Sequence, residues 1–511
     1  MADTLREIER KYEARGDAGG TARLPDLSGV ATVATVTDQG TAELDAVYYD
    51  TADLRLAAAG ITLRRRTGGS DPGWHVKLPV APGVRDEFHA PLSNGLPRSL
   101  AALVRSRTRD VPLAPLIRIA SRRDVRHLLD KRGTLLAEAG TDAVTATLLT
   151  GDGASTAWTE VEVELAQDGD PALLDALEPH LRKAGLRPSD APSKLARALA
   201  ETGVRAPARS VKQPGGKASA GDHLLAFLRE QAEAVAALDP GARRGTEDAV
   251  HQMRVATRRL RSAFRTHRKL LDRRITDPVG EELKWLATEL GVDRDREVLT
   301  ERLRERLDEI PRPLVRGPVR ARLRTWSHGS RTGSRRHLTA VLDSKRYLTL
   351  LDTLDALLAD PPLRAAAAGP PRPAFAKAVL ADYARLAGRV EHALATEPGQ
   401  ARDIALHEAR KAAKRARYAA EAATPALGGP AKRFAKQMKA VQTLLGDHQD
   451  SVMARGALLT IAAQAEEAGE SAFTFGVLYG REEQQAAQDE RELPALWEKA
   501  SDRRWREGLG A

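Results

Sequence analysis

Residues 158–165 read WTEVEVEL, a stretch in which acidic and apolar side chains alternate. Successive side chains of a β-strand point to opposite faces, so this alternation predicts a strand. Glu160, Glu162 and Glu164 then share one face, and the apolar residues between them can pack against a core. The stretch therefore predicts a sheet with a carboxylate-rich face.

Alternating runs of the same kind recur through roughly the first 165 residues, separated by turn-forming residues. They read REIERKYE (6–13), DAVYYDT (45–51), GITLRRRT (60–67), GWHVKLPV (73–80) and GVRDEFHAPL (83–92). Short runs at this spacing predict an antiparallel sandwich or barrel. In these runs charged residues share strand faces: Glu7, Glu9 and Lys11; Arg64 and Arg66; His75 and Lys77; Arg85 and Glu87. A closed barrel can turn all of these rows inward, because inner and outer residues alternate along every strand.

Such an interior suits metal and phosphate chemistry. Carboxylate oxygens are hard ligands of the kind that Mg²⁺ and Mn²⁺ prefer. Arginine pairs with phosphate oxygens through two parallel hydrogen bonds, and lysine binds them as a point charge. The pattern therefore predicts a barrel that holds a phosphate-containing anion together with a divalent metal. The sequence has no GxxxxGK[ST] loop, so a P-loop nucleotide site is not expected.

Composition limits the other classes of function. The 511-residue chain has no cysteine, which excludes disulfides, cysteine-ligated zinc, iron–sulfur clusters and thiol nucleophiles. The first residues, MADTLREIERKYEARG, lack an apolar signal segment, and no apolar run is long enough to span a bilayer. We therefore expect a cytoplasmic protein with no membrane span. The net charge of +10 favours anionic partners.

The order and spacing of the charged strands resemble the CYTH domain, the domain of the triphosphate tunnel metalloenzymes. Residues 7–11, EIERK, correspond to the ExExK signature of that family. The resemblance continues through YYDT (48–51), LRRR (63–66), Lys77, RDE (85–87), EVEVE (160–164) and Lys194, and covers residues 1–203. It implies an eight-stranded antiparallel β tunnel that hydrolyses or rearranges triphosphates with a divalent metal, Mg²⁺ or Mn²⁺.

The same resemblance implies roles for individual residues. Catalytic roles fall to Glu7, Glu9, Lys11 and Glu87. Triphosphate binding falls to Lys11, Arg64, Arg66, Lys77, Arg85, Arg118 and Lys194. Metal binding falls to Glu7, Glu9, Asp142, Glu160, Glu162 and Glu164. One basic position is ambiguous, since Arg122 and Arg123 follow Arg118 closely; placement in PLIRIASRR favours Arg118, with Arg123 as the alternative.

The rest of the chain is predicted to be helical. Residues 170–203 contain two helical runs that complete a first domain over residues 1–205. Residues 206–220, rich in Pro, Gly, Ala and Lys, predict a flexible linker. Over residues 221–505, Leu and Ala recur at spacings of three and four, which predicts an all-α second domain. The fold class is therefore multidomain α+β.

This helical region contains an internal repeat. VHQMRVATRRLRSAF (250–264) aligns with LHEARKAAKRARYAA (406–420), and residues 282–295 align with residues 437–450. The repeat predicts two homologous half-domains related by a pseudo-twofold axis. Helical spacing places cations of each basic segment on one face, so the two segments can form one cationic surface. Its predicted members are His251, Arg254, Arg258, Arg261, Lys284, His407, Arg410, Lys411, Lys414, Arg417 and Lys439.

The two basic segments resemble the hallmark of the CHAD domain, a helical module often found behind CYTH. This resemblance covers residues 221–505 and implies a helical bundle of two pseudo-symmetric halves that binds inorganic polyphosphate along the cationic surface. Together the two resemblances imply a metal-dependent inorganic triphosphatase with polyphosphate and tripolyphosphate as partners, and an association with polyphosphate granules.

Other functions remain open at the level of sequence. A non-catalytic polyphosphate-binding protein is one alternative, and a CYTH enzyme acting on thiamine triphosphate, or on ATP as an adenylate cyclase, is another. Aromatic residues make up 4% of the chain, which disfavours an organic triphosphate. We expect no specific nucleic-acid partner, because the basic helices carry almost no aromatic residues for base stacking. The oligomeric state is not indicated.

Overall fold

The computed structural model describes residues 3–14, 23–207, 214–215, 217–246 and 248–510, without the side chains of residues 3, 292–295, 297 and 327–334. It divides into two compact units, Met1–Ser210 and Val211–Ala511. Much of the predicted linker, residues 208–213 and 216, lies outside the described residues.

The first unit is built on an antiparallel sheet. Its strands are β1 (Asp3–Ala14), β2 (Thr35–Asp50), β3 (Thr62–Gly68), β4 (Gly73–Ala81), β5 (Val84–Pro91), β6 (Ala114–Leu129), β7 (Leu135–Leu148), β8 (Ser155–Leu165) and β9 (Leu186–Pro188). Its helices are α1 (Arg55–Ala58), α2 (Arg98–Thr108), α3 (Ala172–Lys183) and α4 (Lys194–Glu201). Each of the six alternating runs quoted above coincides with part of a strand, and none extends more than two residues beyond it. Helix α2 interrupts a region in which the alternation indicated strands alone.

Strand β1 closes the sheet into a barrel. Its first half pairs with β5, with Glu7 opposite Arg85, and its second half pairs with β8, with Lys11 opposite Glu162. The ring therefore runs β1–β5–β4–β3–β2–β6–β7–β8 and returns to β1. This arrangement confirms the predicted eight-stranded tunnel.

The outer face of the barrel is covered by helices. Val161 and Val163, which alternate with the glutamates of β8, are fully buried and pack with Tyr12 and with Leu177 of α3. Their burial turns the glutamates of β8 away from this core and towards the barrel interior. Helix α2 covers another part of the barrel through Leu100 and its neighbours, against strands β4 and β5.

The second unit is helical. Its α-helices are α5 (Ala220–Arg244), α6 (Ala249–Thr266), α7 (Arg273–Glu289), α8 (Val292–Asp308), α9 (Val319–Asp343), α10 (Lys345–Ala359), α11 (Pro371–Ala395), α12 (Gln400–Leu427), α13 (Gly429–Glu467), α14 (Phe473–Ala500) and α15 (Arg504–Glu507). Proline-containing segments, residues 309–318 and 360–370, separate α8 from α9 and α10 from α11.

The two repeated basic segments form α6 and the central part of α12, which contact one another. Their apolar residues face the core: Met253 and Leu260 of α6, and Ala409 and Ala416 of α12, are almost completely buried. This burial leaves the cations of both helices on the opposite side. The 39-residue helix α13 joins the two hydrophobic clusters of the unit, because Met438 lies in one and Leu458 in the other.

Candidate functional site: a charged tunnel and a basic helical surface

The barrel encloses a cavity of about 760 Å³ whose walls carry most of the charged residues predicted for the first unit. The predicted residues that line it are Glu7, Glu9, Lys11, Arg64, Arg66, Lys77, Arg85, Glu87, Glu162, Glu164 and Lys194. They come from strands β1, β3, β4, β5 and β8 and from the first residue of α4. The period-two alternation of each strand is what directs them inward.

Helix α4 places Lys194 in the cavity through its N-cap. The side chain of Ser193 accepts a hydrogen bond from the backbone N–H of Ala196, at 3.1 Å, and so fixes where the helix begins. Lys194 is the next residue, and its ammonium group lies 2.6–3.0 Å from oxygens of Glu162, Glu160 and Asp142. A residue far from the barrel strands in sequence thereby becomes part of the tunnel wall.

Asp142, Glu160 and Glu162 form one carboxylate cluster, which is saturated with cations. Besides Lys194, the Arg123 guanidinium pairs with Asp142 at 2.7 Å and also with Glu162, which Lys11 contacts as well. Burial raises the pKa of the Glu162 carboxyl, but Lys11, Lys194 and Arg123 outweigh it and hold that pKa well below the usual value. Asp142 and Glu160 are buried behind these cations. Their oxygens are engaged in ion pairs, so their predicted role as metal ligands remains a prediction.

Glu7, Glu9 and Glu164 form a second cluster, with oxygens within 4.8 Å of one another. Glu7 is paired with Lys77 at 2.6 Å and Glu9 with Lys11 at 3.0 Å, whereas Glu164 makes no described hydrogen bond or ion pair. Burial and the negative charges of Glu7 and Glu9 raise the pKa of Glu164 to about 8, despite Lys77. Glu164 is therefore the carboxylate of this cluster without a described ion pair, and the three hard oxygen donors fit a divalent cation.

The neighbouring strands β3, β4 and β5 supply cations and an ionised carboxylate. Burial raises the pKa of Glu87, but Lys77, His75 and Arg64 outweigh it, so the carboxylate is strongly held in its ionised form. His75 is buried; its Nδ1 lies 2.9 Å from Glu87, and its Nε2 donates to the carbonyl oxygen of Asp71 at 3.0 Å. The alternation of β4 places His75 on the same strand face as Lys77, but the sequence alone does not indicate that His75 holds Glu87.

The preference for Arg118 at the ambiguous basic position is wrong. Arg118 lies on the outer face of β6, with its side chain 57% exposed and paired with Asp45 at 2.6 Å. Ile119, Ser121 and Arg123 line the cavity, so the odd-numbered residues of this part of β6 face inward. Arg123, the alternative, therefore occupies the tunnel, and Arg122 points outward like Arg118.

The second unit brings cations of both repeats together. Burial and the positive charges of Arg258, Arg410 and Arg254 lower the pKa of Lys414 to about 7, although Asp450 opposes them. Arg254 and Arg258 belong to α6, and Arg410 and Lys414 to α12. Crowding of like charge around one ammonium group therefore shows that the two predicted helix faces form a common surface.

Two glycines show the repeat at the level of contacts. A Cβ on Gly291 would lie 2.7 Å from Arg254 Nη2, and a Cβ on Gly446 would lie 3.6 Å from Arg410 Nε. Gly291 and Gly446 occupy equivalent places in the two aligned segments, as do the two arginines. In both halves a glycine leaves room for an arginine of the basic surface.

The remaining predicted members of this surface lie at its margins. His251, Lys284, Lys411 and Lys439 are exposed, and His407 Nδ1 lies 2.6 Å from Gln449 Oε1. Lys284 pairs with Glu281 and Lys411 with Glu408, so these two lysines are partly neutralised by neighbours on their own helices. Arg261 and Arg417 are partly buried at opposite ends of the helix pair.

A further group of possible metal ligands, Asp403, His448 and Glu490, lies in the same unit. Arg455 pairs with Asp403 at 3.0 Å, and Arg402 pairs with Glu490 at 3.0 Å. Both carboxylates are therefore already neutralised, and this group reads as an ion-pair network that joins α12, α13 and α14.

Comparison with known families agrees with both halves of the chain. The CYTH domain matches residues 5–199 and the CHAD domain matches residues 226–459. This chain is a CYTH–CHAD protein. Enzymes with CYTH domains act on triphosphates.

Two relatives from Mycobacterium tuberculosis, the uncharacterized proteins MT2285 and Rv2226, are each 40% identical to this CYTH–CHAD protein over 513 residues, covering 96% of it and 96% of each relative. Among solved structures, the CHAD domain from the plant Ricinus communis is 26% identical and covers 59% of this chain and 96% of its own, with a TM-score of 0.44. PptA from Streptomyces chartreusis is 22% identical and covers 55% of this chain and 100% of its own, with a TM-score of 0.46. In the described part of the chain, no helix is both long and apolar enough to cross a membrane.

Proposed function

We propose that this CYTH–CHAD protein hydrolyses inorganic triphosphate in the tunnel with a divalent metal, and that its basic helical surface binds inorganic polyphosphate. The observation that carries the first part is the cavity of about 760 Å³, which combines a cluster of three carboxylates with lysines and arginines on the same wall. Such a site can hold a metal and a polyanion side by side.

The metal would be held by Glu7, Glu9 and Glu164, and it would supply Lewis-acid polarisation of phosphate oxygens. Mg²⁺ and Mn²⁺ are the ions that fit a small set of carboxylates completed by water and substrate phosphate. The raised pKa of Glu164, a carboxyl without a cationic partner, supports the assignment. Because metal ligands must be deprotonated, metal binding at neutral pH should release a proton.

The basic residues would bind the triphosphate by exchanging partners. Lys77, Lys11 and Arg64 each contact a carboxylate in the tunnel, and phosphate oxygens can replace those carboxylates without a change of fold. Arg64 and Arg66 offer two parallel donors to a phosphate, whereas the lysines act as point charges. Glu87 is held ionised and can accept a hydrogen bond from an attacking water.

An inorganic substrate fits the tunnel better than an organic one. Among the described residues that line the cavity, Tyr48 is the single phenylalanine, tyrosine or tryptophan. Tyr48 is almost completely buried, and its hydroxyl accepts a hydrogen bond from Arg64 at 3.4 Å. The wall therefore offers little aromatic surface on which a nucleobase or a thiazole ring could stack.

The second part of the proposal rests on like charge gathered at one place. Burial and the nearby positive charges of Arg258, Arg410 and Arg254 lower the pKa of Lys414, so cations of α6 and α12 lie close enough to repel one another. Arg410 Nε is buried and makes no hydrogen bond among the described residues. A linear polyanion would relieve the repulsion along the whole surface.

The test is phosphate release from tripolyphosphate, measured with Mg²⁺, with Mn²⁺ and with a chelator. We expect metal-dependent release by the wild type, and its loss in the variant Glu7→Ala/Glu9→Ala, because that variant removes two of the three proposed metal ligands. ATP and thiamine triphosphate are tested in parallel. No release from folded wild-type protein with any metal would contradict the proposed activity and favour a non-catalytic polyphosphate-binding protein.

A further inference from the structure

The internal repeat of the second unit reverses the sign of charge at Arg265 and Glu421. A shift of 156 residues places His251 on His407, and it also places Arg259 on Arg415, Arg261 on Arg417 and Arg265 on Glu421. Two of these arginine positions are therefore arginine in both halves of the repeat. The third is a cation in the first half, Arg265, and a carboxylate in the second half, Glu421.

Glu421 closes its own end of the helix pair. The Arg259 guanidinium lies 2.8 Å from Glu421, and Arg417 Nε lies 3.6 Å from the same carboxylate. Two arginines, one from each basic helix, thus share one acid. This end carries little unneutralised charge.

At the opposite end the equivalent arginines are present, but the position that matches Glu421 holds Arg265. Arg415 reaches residue 265 in the way that Arg259 reaches residue 421, but it donates to the carbonyl oxygen of Arg265, at 3.2 Å. Arg261 completes the arginine pair, and its Nε is buried without a hydrogen bond among the described residues. In place of a carboxylate, the side chain of Arg265 adds a further positive charge.

A pocket of about 400 Å³ lies at this end. Five arginines line it, Arg261, Arg265, Arg268, Arg273 and Arg415, against two acids, Asp277 and Glu281. Asp277 is taken up by Arg273 at 2.7 Å, while Glu281 stays 3.5 Å from Arg265 and 3.9 Å from Arg261. Asp382 of α11 faces the same group and pairs with Arg415 at 2.9 Å. The pocket therefore keeps a net positive charge after all neighbouring acids are counted.

The charge balance of the arginines agrees with this geometry. Burial and the neighbouring charges of Arg265 and Arg258 lower the pKa of Arg261, although Glu281 opposes them. Burial also lowers the pKa of Arg415, despite Asp382. In the pseudo-equivalent place Glu421 supplies the missing negative charge, so the molecule itself shows what group satisfies this arrangement.

We propose that this pocket binds a phosphate group between Arg261 and Arg415, in the place that a carboxylate occupies in the other half of the repeat. The proposal adds a defined phosphate site at one end of the basic surface. It rests on the proposed polyphosphate binding only if the bound phosphate group is part of a polyphosphate chain. The phosphate group comes either from the end of a polyphosphate chain on the basic surface or from a separate short anion such as pyrophosphate. In the first case, one end of the polyphosphate chain would be fixed at this end of the surface, with its terminal phosphate in the pocket.

The test uses Arg265→Glu, which restores the acid found in the other half, and Arg268→Glu as an independent second variant. The Arg265 side chain is about half exposed and Arg268 is exposed, so neither change threatens the core. The matched control is Arg503→Glu, which makes the same change of charge at an 84% exposed arginine outside the pocket lining. Pyrophosphate binding to the full chain is measured by calorimetry with a chelator present.

We expect wild type and Arg503→Glu to bind pyrophosphate in the pocket with equal affinity. In Arg265→Glu and Arg268→Glu the affinity of that site should be at least about tenfold lower, as the loss of a charged hydrogen bond implies. Binding in the tunnel is common to all four proteins and cancels in the comparison. Equal stoichiometry and affinity in all four proteins would overturn the proposal.

Competition then identifies the source of the phosphate group. Displacement of bound pyrophosphate by long-chain polyphosphate supports a chain end, and simultaneous binding supports a separate anion. These measurements also separate this proposal from the proposed function. If the protein does not retain polyphosphate but binds pyrophosphate, and Arg265→Glu abolishes that binding, the pocket is supported and polyphosphate is excluded as a partner.

Discussion

Lysines of the tunnel and of the basic helical surface both lie in crowded charged clusters, yet their pKa values move in opposite directions. In the tunnel, burial lowers the pKa of Lys194, but Asp142, Glu162 and Glu160 outweigh it and raise that pKa well above the usual value. On the surface, burial and three arginines lower the pKa of Lys414 to about 7. The tunnel supplies its own counter-charges, whereas the helical surface leaves them to a ligand.

If both regions bind phosphate as proposed, they do so in two different ways. In a self-neutralised tunnel the cations are held in position before the substrate arrives, so the site is preorganised and the ligand replaces internal partners. Where cations of two helices lie close together, as around Lys414, their repulsion destabilises the free protein and anion binding relieves it. The first arrangement suits a defined short substrate, and the second suits a long polyanion of variable length.

The largest effect should follow from removing the acid that balances the tunnel. Glu162→Gln leaves Lys11, Arg123 and Lys194 without their common partner. We expect loss of about 3–5 kcal/mol of folding free energy, as for other broken buried ion pairs, and a fall of about 100-fold or more in metal-dependent phosphate release. Phosphate release and thermal unfolding measure the two effects.

The same variant should make the tunnel behave like the helical surface. Tripolyphosphate in the presence of a chelator should raise the melting temperature of Glu162→Gln by more than that of wild type, because the anion now supplies the missing charge. Glu43→Gln, an exposed change on β2, is the control and should behave as wild type. Unchanged stability and activity in Glu162→Gln would contradict the view that the tunnel is balanced by its own carboxylates.

The second prediction concerns the surface cations. Changing Arg254, Arg258, Arg410 and Lys414 together to glutamine should weaken polyphosphate binding by about 100-fold or more, since each charged hydrogen bond contributes about 1.5–3 kcal/mol. Hydrolysis of tripolyphosphate should be unchanged, because the tunnel belongs to the other unit. Retention of polyphosphate by a filter assay, across a range of salt concentrations, measures the loss.

A matched control for this variant changes four exposed arginines to glutamine: Arg274, Arg320, Arg503 and Arg504. It removes the same net charge without touching α6 or α12. If both quadruple variants bind polyphosphate equally well, the contacts between polyphosphate and the two basic helices are disproved.

Period-two alternation predicted most of the tunnel because each strand buries one face in an apolar core and turns the other inward. It was enough to place Glu7, Lys77 and Glu162 together, although they come from different strands. Alternation did not show which face of β6 turns inward, and so it did not decide between Arg118 and Arg123. Ile117 and Ile119 lie on the inward face but are apolar and buried, so apolar character did not mark the face that packs in the core. The charge balance of Lys414 and the pocket beside Arg261 depend on contacts between helices far apart in sequence, which no local pattern reveals.

The third prediction uses pH to sharpen the contrast between the lysines. The free protein holds Lys414 at a pKa of about 7, below its ordinary 10.5. The unfolded chain therefore binds an additional proton between those values, and folding stability from this group rises with pH across that window and is lost as pH falls towards 7. A bound polyanion raises the pKa of Lys414, so binding takes up a proton above about pH 7.

Polyphosphate affinity should accordingly be constant below pH 7 and fall above it, by up to about tenfold per pH unit. Calorimetry at pH 8 in buffers of different ionisation enthalpy measures the proton uptake directly. Lys414→Arg is the control, because an arginine stays charged throughout and titration of the polyphosphate itself is common to both proteins. Equal proton uptake in wild type and Lys414→Arg would assign the linkage to other groups.

The smallest effect separates the two faces of β6. Arg118 pairs with Asp45 outside the barrel, where the side chains are 57% and 38% exposed, so Arg118→Gln should leave both the melting temperature and turnover nearly unchanged. Arg123→Gln, five residues later, removes the partner of Asp142 and Glu162 inside the tunnel and should lower both activity and melting temperature. The two variants remove the same guanidinium group from the same strand, so any difference between them comes from the face on which it lies. A loss of tripolyphosphate hydrolysis in Arg118→Gln, with Arg123→Gln unaffected, would require the opposite phase for this part of β6 and would return the ambiguous basic position to Arg118.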